Sequence, residues 1–106
     1  MRTIRWLDGA WNELSAISKY VDSVHGRHTA ERVQNEILSR IDALATMPYL
    51  GTLDTTLHYQ GKPVRILHSW HTRIIYSVRE TEIVIILLWD NRRDNKLLSH
   101  TLSSRN

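Results

Sequence analysis

The chain has no cysteine among its 106 residues. Disulfides and thiolate metal sites are therefore excluded. It also lacks a long apolar run. Ile83–Trp89 is seven residues, against roughly 20 for a membrane-spanning helix. Met1-Arg2-Thr3-Ile4-Arg5 has no apolar h-region of the kind a secretory signal carries, so a cytosolic location is expected. No internal repeat, low-complexity segment or linker divides the chain, and one domain over residues 1–106 is expected.

What is present is ordinary in amount and uneven in sign. Apolar residues make up 42% and charged residues 24%, the balance of a soluble globular domain. Fourteen Lys and Arg against eleven Asp and Glu leave a net charge of +3, with six histidines in addition. A basic balance favours anionic partners, nucleic acid or an acidic protein.

Apolar spacing predicts the elements. Thr3–Trp6 alternates and reads as a short strand. Asp8 is a candidate N-cap. Ala10, Trp11, Leu14, Ile17, Val21 and Val24 then recur at helical spacing until Gly26 breaks the pattern. A second helix is expected from Thr29, with Ala30, Val33, Ile37, Ile41 and Leu44 as its stripe, ending near Met47 before Pro48. Residues 51–63 read as a polar connection. Val64–His68 and Arg73–Val78 read as strands joined by a turn at 69–72, with Ile74, Tyr76 and Val78 on one face and Arg73, Ile75 and Ser77 on the other. Ile83–Trp89 is rich in β-branched residues and reads as a strand buried on both faces. Lys96–Leu102 predicts a short final helix. The expected fold is α+β, in the order β-α-α-β-β-β: an antiparallel helix hairpin packed on a small, mostly antiparallel sheet. Trp6, Trp11 and Trp89 are expected in the core.

The chemistry-bearing residues cluster after residue 64. Histidine suits proton transfer near neutral pH, and arginine forks onto two phosphate oxygens. Metal-independent RNA cleavage needs a base, an acid and cations for the phosphorane. Arg65, Arg73, Arg92 or Arg93 with His68, His71 or His100 supply those residue types. The plainer reading of His58 and His71 is solvated turn residues. His68-x-x-His71 without a third ligand is a poor zinc site, so no metal is expected. Trp70 and Tyr76 beside Arg65 and Arg73 suggest base stacking, although such aromatics more often pack a core or a turn.

The ordered set of residues resembles the RelE/ParE superfamily of bacterial toxins. It comprises Trp6; Ala10, Leu14, Ile17 and Tyr20; Ala30, Val33, Ile37, Ile41 and Leu44; Leu44-x-x-x-Pro48-x-x-Gly51; Val64-Arg65-x-Leu67; Arg73-Ile74-Ile75-Tyr76; and Leu88-Trp89-Asp90-Asn91-Arg92-Arg93-Asp94. The resemblance implies the toxin of a type II toxin–antitoxin module, neutralised by an antitoxin whose acidic segment wraps it, with no cofactor. RelE-like members cut mRNA on the ribosome without a metal, and ParE-like members poison DNA gyrase. If this chain were RelE-like, Arg65, Arg73, Arg93 and His100 would form its catalytic set. The loop before Val64 has only one lysine, Lys62, and no tyrosine follows Arg93; both departures favour the ParE-like branch. In either branch Arg65, His68, Arg73, Arg92 and Arg93 are the candidate partner-binding or nucleic-acid-binding residues.

Overall fold

A computed structural model describes residues 1–105. A short strand, β1 (Thr3–Trp6), leads into α1 (Asp8–His25) and α2 (Arg27–Asp42), and a 3-10 turn follows at Ala43–Ala45. Four strands come next: β2 (Thr52–Tyr59), β3 (Lys62–Ser69), β4 (Thr72–Val78) and β5 (Glu82–Asp90). A further helix, α3 (Lys96–Ser103), follows. The sheet order is β1-β5-β4-β3-β2. Only β1 runs parallel to its neighbour, β5; the other pairs are antiparallel hairpins. The α+β fold and its helix hairpin are as the sequence predicts, with one strand more.

The hairpin stripes form as read. Ala10, Leu14, Ile17 and Val21 of α1 are buried with Ala30, Val33, Ile37 and Ile41 of α2. Gly26 alone joins the helices, at φ +93, a conformation that favours glycine. It gives its N–H to Asp22 O and its carbonyl to the N–H of Ala30. The joint is thus shorter than expected, and α2 starts at Arg27 rather than Thr29. Asp8 is the first helical residue and not the cap; Leu7 holds the cap position without a side-chain bond. The Asp8 carboxylate still favours the positive end of the helix dipole. Trp11 is a further correction, being 54% exposed. Its ring meets Trp6 edge-on at 5.1 Å, a lid on the core rather than part of it.

The sheet is covered on both sides. Ile83, Ile85 and Leu88 of β5 face the helix hairpin, with Leu67, Ile74 and Tyr76. Val84, Ile86, Leu87 and Trp89 face the other way, into a second cluster with Ile66 and Ile75 and with Leu98 and Leu102 of α3. Ile86 and Leu87 fall on the same side because β5 bulges there: Ile85 pairs with Tyr76 and Leu87 with Ile75, leaving Ile86 as the extra residue.

The expected polar connection over 51–63 is largely the strand β2. Two features hide it. Its pairing is irregular between Asp54 and His58, so Leu53 and Leu57 lie on opposite faces despite their even spacing. Its hairpin turns on Gln60 and Gly61, both at positive φ, where asparagine or aspartate is the usual first residue. Asp54 caps the irregular stretch: its Oδ1 accepts the N–H groups of Thr56 at 2.8 Å and Leu57 at 3.2 Å.

The Leu44-x-x-x-Pro48-x-x-Gly51 junction has a physical basis. Leu44 is fully buried. The Tyr76 hydroxyl donates to Pro48 O at 2.9 Å and accepts the Gly51 N–H at 2.8 Å. A Cβ on Gly51 would press on the Tyr76 ring and on Ile66 O, so the chain must pass there without a side chain.

Candidate functional site

Register decides which candidate residues meet. Arg65 is paired with Tyr76, and cross-strand partners share a face. Tyr76 faces the helix hairpin, so Arg65 does too. His68 is paired with Arg73, and Arg73 with Trp89, which belongs to the opposite face. The sheet therefore separates Arg65 from His68 and Arg73. His100 lies on α3, whose buried side is set by Leu98 and Leu102. At about 100° per residue, position 100 points directly away from that side. His100 is exposed on the outer surface of α3 and turned from the sheet that carries Arg73.

Each arginine has a local partner. Arg65 Nη1 donates to Gly51 O at 2.8 Å, and its guanidinium lies over the Tyr49 ring at 4.8 Å. Arg73 Nε donates to Asn91 Oδ1 at 2.9 Å and its Nη2 to Asn95 Oδ1, tying β4 to the loop that enters α3. Arg92 grips Asp90 with Nε and Nη2 at 2.9 and 2.7 Å. It also stacks on Tyr20 at 4.5 Å and Trp70 at 5.2 Å. Arg93 covers the buried Trp89 ring at 4.2 Å. Trp70 and His71 form the β3–β4 turn at φ +38 and +51, costly for bulky side chains. The turn is tied down by the Asn91 N–H, which donates to His71 O at 2.7 Å. Tyr76 is fully buried and so presents no ring to a base. Among the described residues, no group of three His, Asp or Glu side chains is placed to hold a metal ion, and no helix is long and apolar enough to cross a membrane.

A second feature near this end of β5 has no signature in the sequence. Glu13 of α1 and Arg105 form an ion pair at 2.6 Å, with each side chain 16% exposed. Glu13 Oε1 also accepts the Leu88 N–H at 3.1 Å, and Arg105 Nη1 reaches Ile86 O at 3.3 Å. The pair thus satisfies backbone groups of β5 beyond Ile85, where its pairing with β1 ends. Gly9 makes room for it, since a Cβ there would collide with the Arg105 guanidinium. Burial pushes the Glu13 carboxyl above its ordinary value; the hydrogen bonds from Arg105 and Leu88 pull it back only in part.

Three surface carboxylates are shifted the opposite way. The Thr56 hydroxyl and N–H lower Asp54, Arg92 lowers Asp90, and Arg5 lowers Glu82. A folded-state value below the unfolded one gives stability that is present above the unfolded value and lost as pH falls through the folded one. The melting temperature is therefore expected to hold through mild acid and to fall below about pH 4, the range of unperturbed carboxylates. Glu13 works in the other direction: the folded protein takes up that proton more readily than the unfolded chain, so its protonation adds nothing to the loss of stability in acid. Thermal melts across pH check this. A drop beginning near pH 6 that Asp54→Asn and Asp90→Asn leave unchanged would contradict it.

The largest exposed apolar grouping lies elsewhere. Met47, Tyr49, Leu50 and Leu53 are four of the nine exposed large hydrophobic residues, all within one short stretch of chain. Beside them a cleft of about 260 Å³ is lined by Tyr49, Leu53, Pro63, Val78, Lys62 and Arg65. Of these, only Arg65 stands out as a candidate in the sequence. The available signal was apolar residues placed in a segment that needs no core.

Comparison with known proteins bears on all of this. A family model described as the ParE toxin of the type II toxin–antitoxin system parDE matches residues 4–95. Among solved structures, a chain of the chromosomal ParDE toxin–antitoxin system from P. aeruginosa superposes with a TM-score of 0.69. The two are 22% identical, and the match covers 83% of this chain and 94% of that one. At that identity the likeness shows the fold. No curated protein matches at a significant level. With the family model spanning nearly the whole domain, from β1 to the threshold of α3, the chain belongs to the ParE toxin family of type II toxin–antitoxin systems.

Proposed function

We propose that this toxin arrests growth by binding, not by cutting RNA, and that its target is DNA gyrase. One observation supports the reading above others. The residues a RelE-like centre would use do not converge: Arg65 is on one face of the sheet, Arg73 on the other, and His100 on the outside of α3. Cleavage requires base, acid and cation within hydrogen-bond reach of one phosphate. Arg73 and Arg92 are, in addition, already committed to Asn91, Asn95 and Asp90. They read as braces for the β5–α3 loop, which a binding toxin needs rigid and a nuclease needs in contact with substrate.

The reading includes a cognate antitoxin, as in the ParDE system to which the P. aeruginosa chain belongs. With the net charge of +3, an acidic antitoxin segment would associate quickly and in a salt-dependent way. Action on gyrase places the protein in the cytoplasm.

The test uses purified components. Incubated with gyrase, ATP and relaxed plasmid, the toxin should block supercoiling and leave cleaved DNA bound to the enzyme, and added antitoxin should reverse this. Programmed ribosomes given the same toxin should retain intact mRNA. Unimpaired supercoiling together with toxin-dependent mRNA cuts would defeat the proposal.

A further inference from the structure

We propose that the end of the molecule built from the β3–β4 turn and the β5–α3 loop contacts the sugar–phosphate backbone of the DNA that gyrase holds, with Arg92 as its fixed point. The inference rests on the gyrase reading and deepens it: the toxin binds the enzyme–DNA complex, with DNA as part of the surface it recognises. Four observations and one physical requirement carry it.

Cations gather at this end. Arg92 and Arg93 follow β5, Lys96 opens α3, and Arg73 reaches the same loop through Asn91 and Asn95. Arg40 of α2 joins them at the foot of the turn, where its Nη2 donates to His68 O at 3.2 Å. The two carboxylates of the loop are bonded within it. Asp90 holds the Arg92 side chain and its N–H, and Asp94 Oδ1 accepts the Lys96 N–H at 2.9 Å.

Arg92 is preorganised. Its guanidinium lies over Tyr20 and Trp70 and commits Nε and Nη2 to Asp90. Among the described residues Nη1 has no partner, and the side chain is 42% exposed. A guanidinium fixed along one edge and open along the other loses little freedom when a phosphate oxygen arrives.

The turn beneath it is strained. Trp70 and His71 occupy φ +38 and +51, where a pair such as Asn-Gly sits at lower cost. The bulky pair puts one ring under Arg92 and sets the exposed His71 beside it, with the two rings 5.2 Å apart. Strain of this kind collects at functional sites.

The surface suits phosphate better than protein. Tyr20, Trp70 and Trp89 each lie under an arginine, so the rings that would anchor a protein partner are covered. Protein interfaces have an apolar centre, whereas nucleic-acid contacts are more polar and much more positive. Covered rings also cannot receive a base, which leaves the backbone as the contact.

The requirement comes from the poisoning itself. A ligand shifts an equilibrium only by its difference in affinity for the two states. A toxin held equally well by gyrase with and without cleaved DNA cannot make cleaved DNA accumulate. A contact with the DNA supplies such a difference.

The experiment measures affinity of the full chain for gyrase alone and for gyrase loaded on linear duplex DNA, across ionic strength. DNA should raise the affinity by about tenfold or more at low salt, and the rise should shrink as salt is added. Arg92→Gln and Lys96→Gln should each remove most of the rise and lower the salt slope by about one. Both should bind gyrase alone within about threefold of wild type, as changes outside that contact do. Arg92→Lys should fall between, since it keeps the charge and loses the fork. All three substitutions are at exposed positions, and thermal melts will confirm the fold. Arg32→Gln, on α2, is the control and should leave the rise intact. Equal affinity of the wild type for both forms, with supercoiling still blocked, would overturn the DNA contact and leave the gyrase reading standing. A loss in Arg92→Gln that is the same with and without DNA would assign this end to the enzyme's own surface and overturn the proposal. No binding to either form would overturn both readings.

Discussion

Ile37→Asp and Leu87→Asp are each expected to leave no cooperatively folded protein. Both side chains are fully buried, and they lie on opposite faces of the sheet. Ile37 sits at the centre of the α1–α2 stripe. Leu87 lies under α3, at the bulge that turns two successive β5 residues to one side. Each substitution places a carboxylate where no cation reaches it, at a cost of several kcal/mol for an unpaired buried ion, beyond the lost apolar contact. A domain of this size is stable by only about 5–15 kcal/mol. Because the two clusters share β5, failure of either face should take the whole domain. Ser15→Asp, on the exposed flank of α1, is the matched control and should melt within a few degrees of wild type. Urea titration followed by circular dichroism reads all three. A soluble Leu87→Asp protein with a sharp transition would mean that the second cluster is not a core.

The second large effect is expected at the Glu13–Arg105 clasp. Glu13→Ala removes the acceptor of the Leu88 N–H and strands a guanidinium that is 16% exposed. Arg105→Ala strands the carboxylate instead. Breaking a buried pair from one side costs about 3–5 kcal/mol, and the partial exposure here places the expected loss near 3. Glu13→Gln should cost less, because its amide oxygen remains an acceptor for the Leu88 N–H and for the guanidinium. The double variant Glu13→Met/Arg105→Met should recover most of the loss, since no charge is then left behind. Denaturation of wild type, Glu13→Ala, Arg105→Ala and Glu13→Ala/Arg105→Ala gives the coupling directly. Additive losses in a Glu13→Ala/Arg105→Ala cycle would show that the two side chains do not act as a pair. The clasp ties the segment that follows α3 to α1 and to β5.

The contrast between hairpin and sheet shows what a sequence pattern carries. Ala10 to Val21 and Ala30 to Ile41 repeat at one period without interruption, so both helices and their buried sides are legible. The strand β2 is not, because an irregularity after Asp54 swaps the faces of Leu53 and Leu57 and Gln60-Gly61 is an uncommon turn pair. Trp11 misleads for a different reason: at the edge of the α1 stripe, an indole can cover the core without entering it. At the candidate site, the residue types are readable and their meeting is not. Alternation assigns faces within β3 and within β4, but only the pairing of Arg65 with Tyr76 and His68 with Arg73 relates the two strands. The family resemblance is legible because it rests on ordered apolar positions and the Pro48–Gly51 junction, features that the fold itself demands. The clasp is invisible in sequence, since Glu13 and Arg105 are 92 positions apart and belong to no repeating pattern.

The central claim is that the chain inhibits growth by trapping a DNA-handling enzyme and not by cleaving mRNA. The most direct test is brief induction of the chain without antitoxin, with gyrase-linked DNA ends and RNA 5′ ends mapped in the same cells. The account predicts gyrase-linked breaks, filamentous cells and intact mRNA, with the same pattern in His100→Ala. It would be contradicted by mRNA cut within reading frames soon after induction, with cuts that vanish in Arg73→Ala and His100→Ala while both variants stay folded.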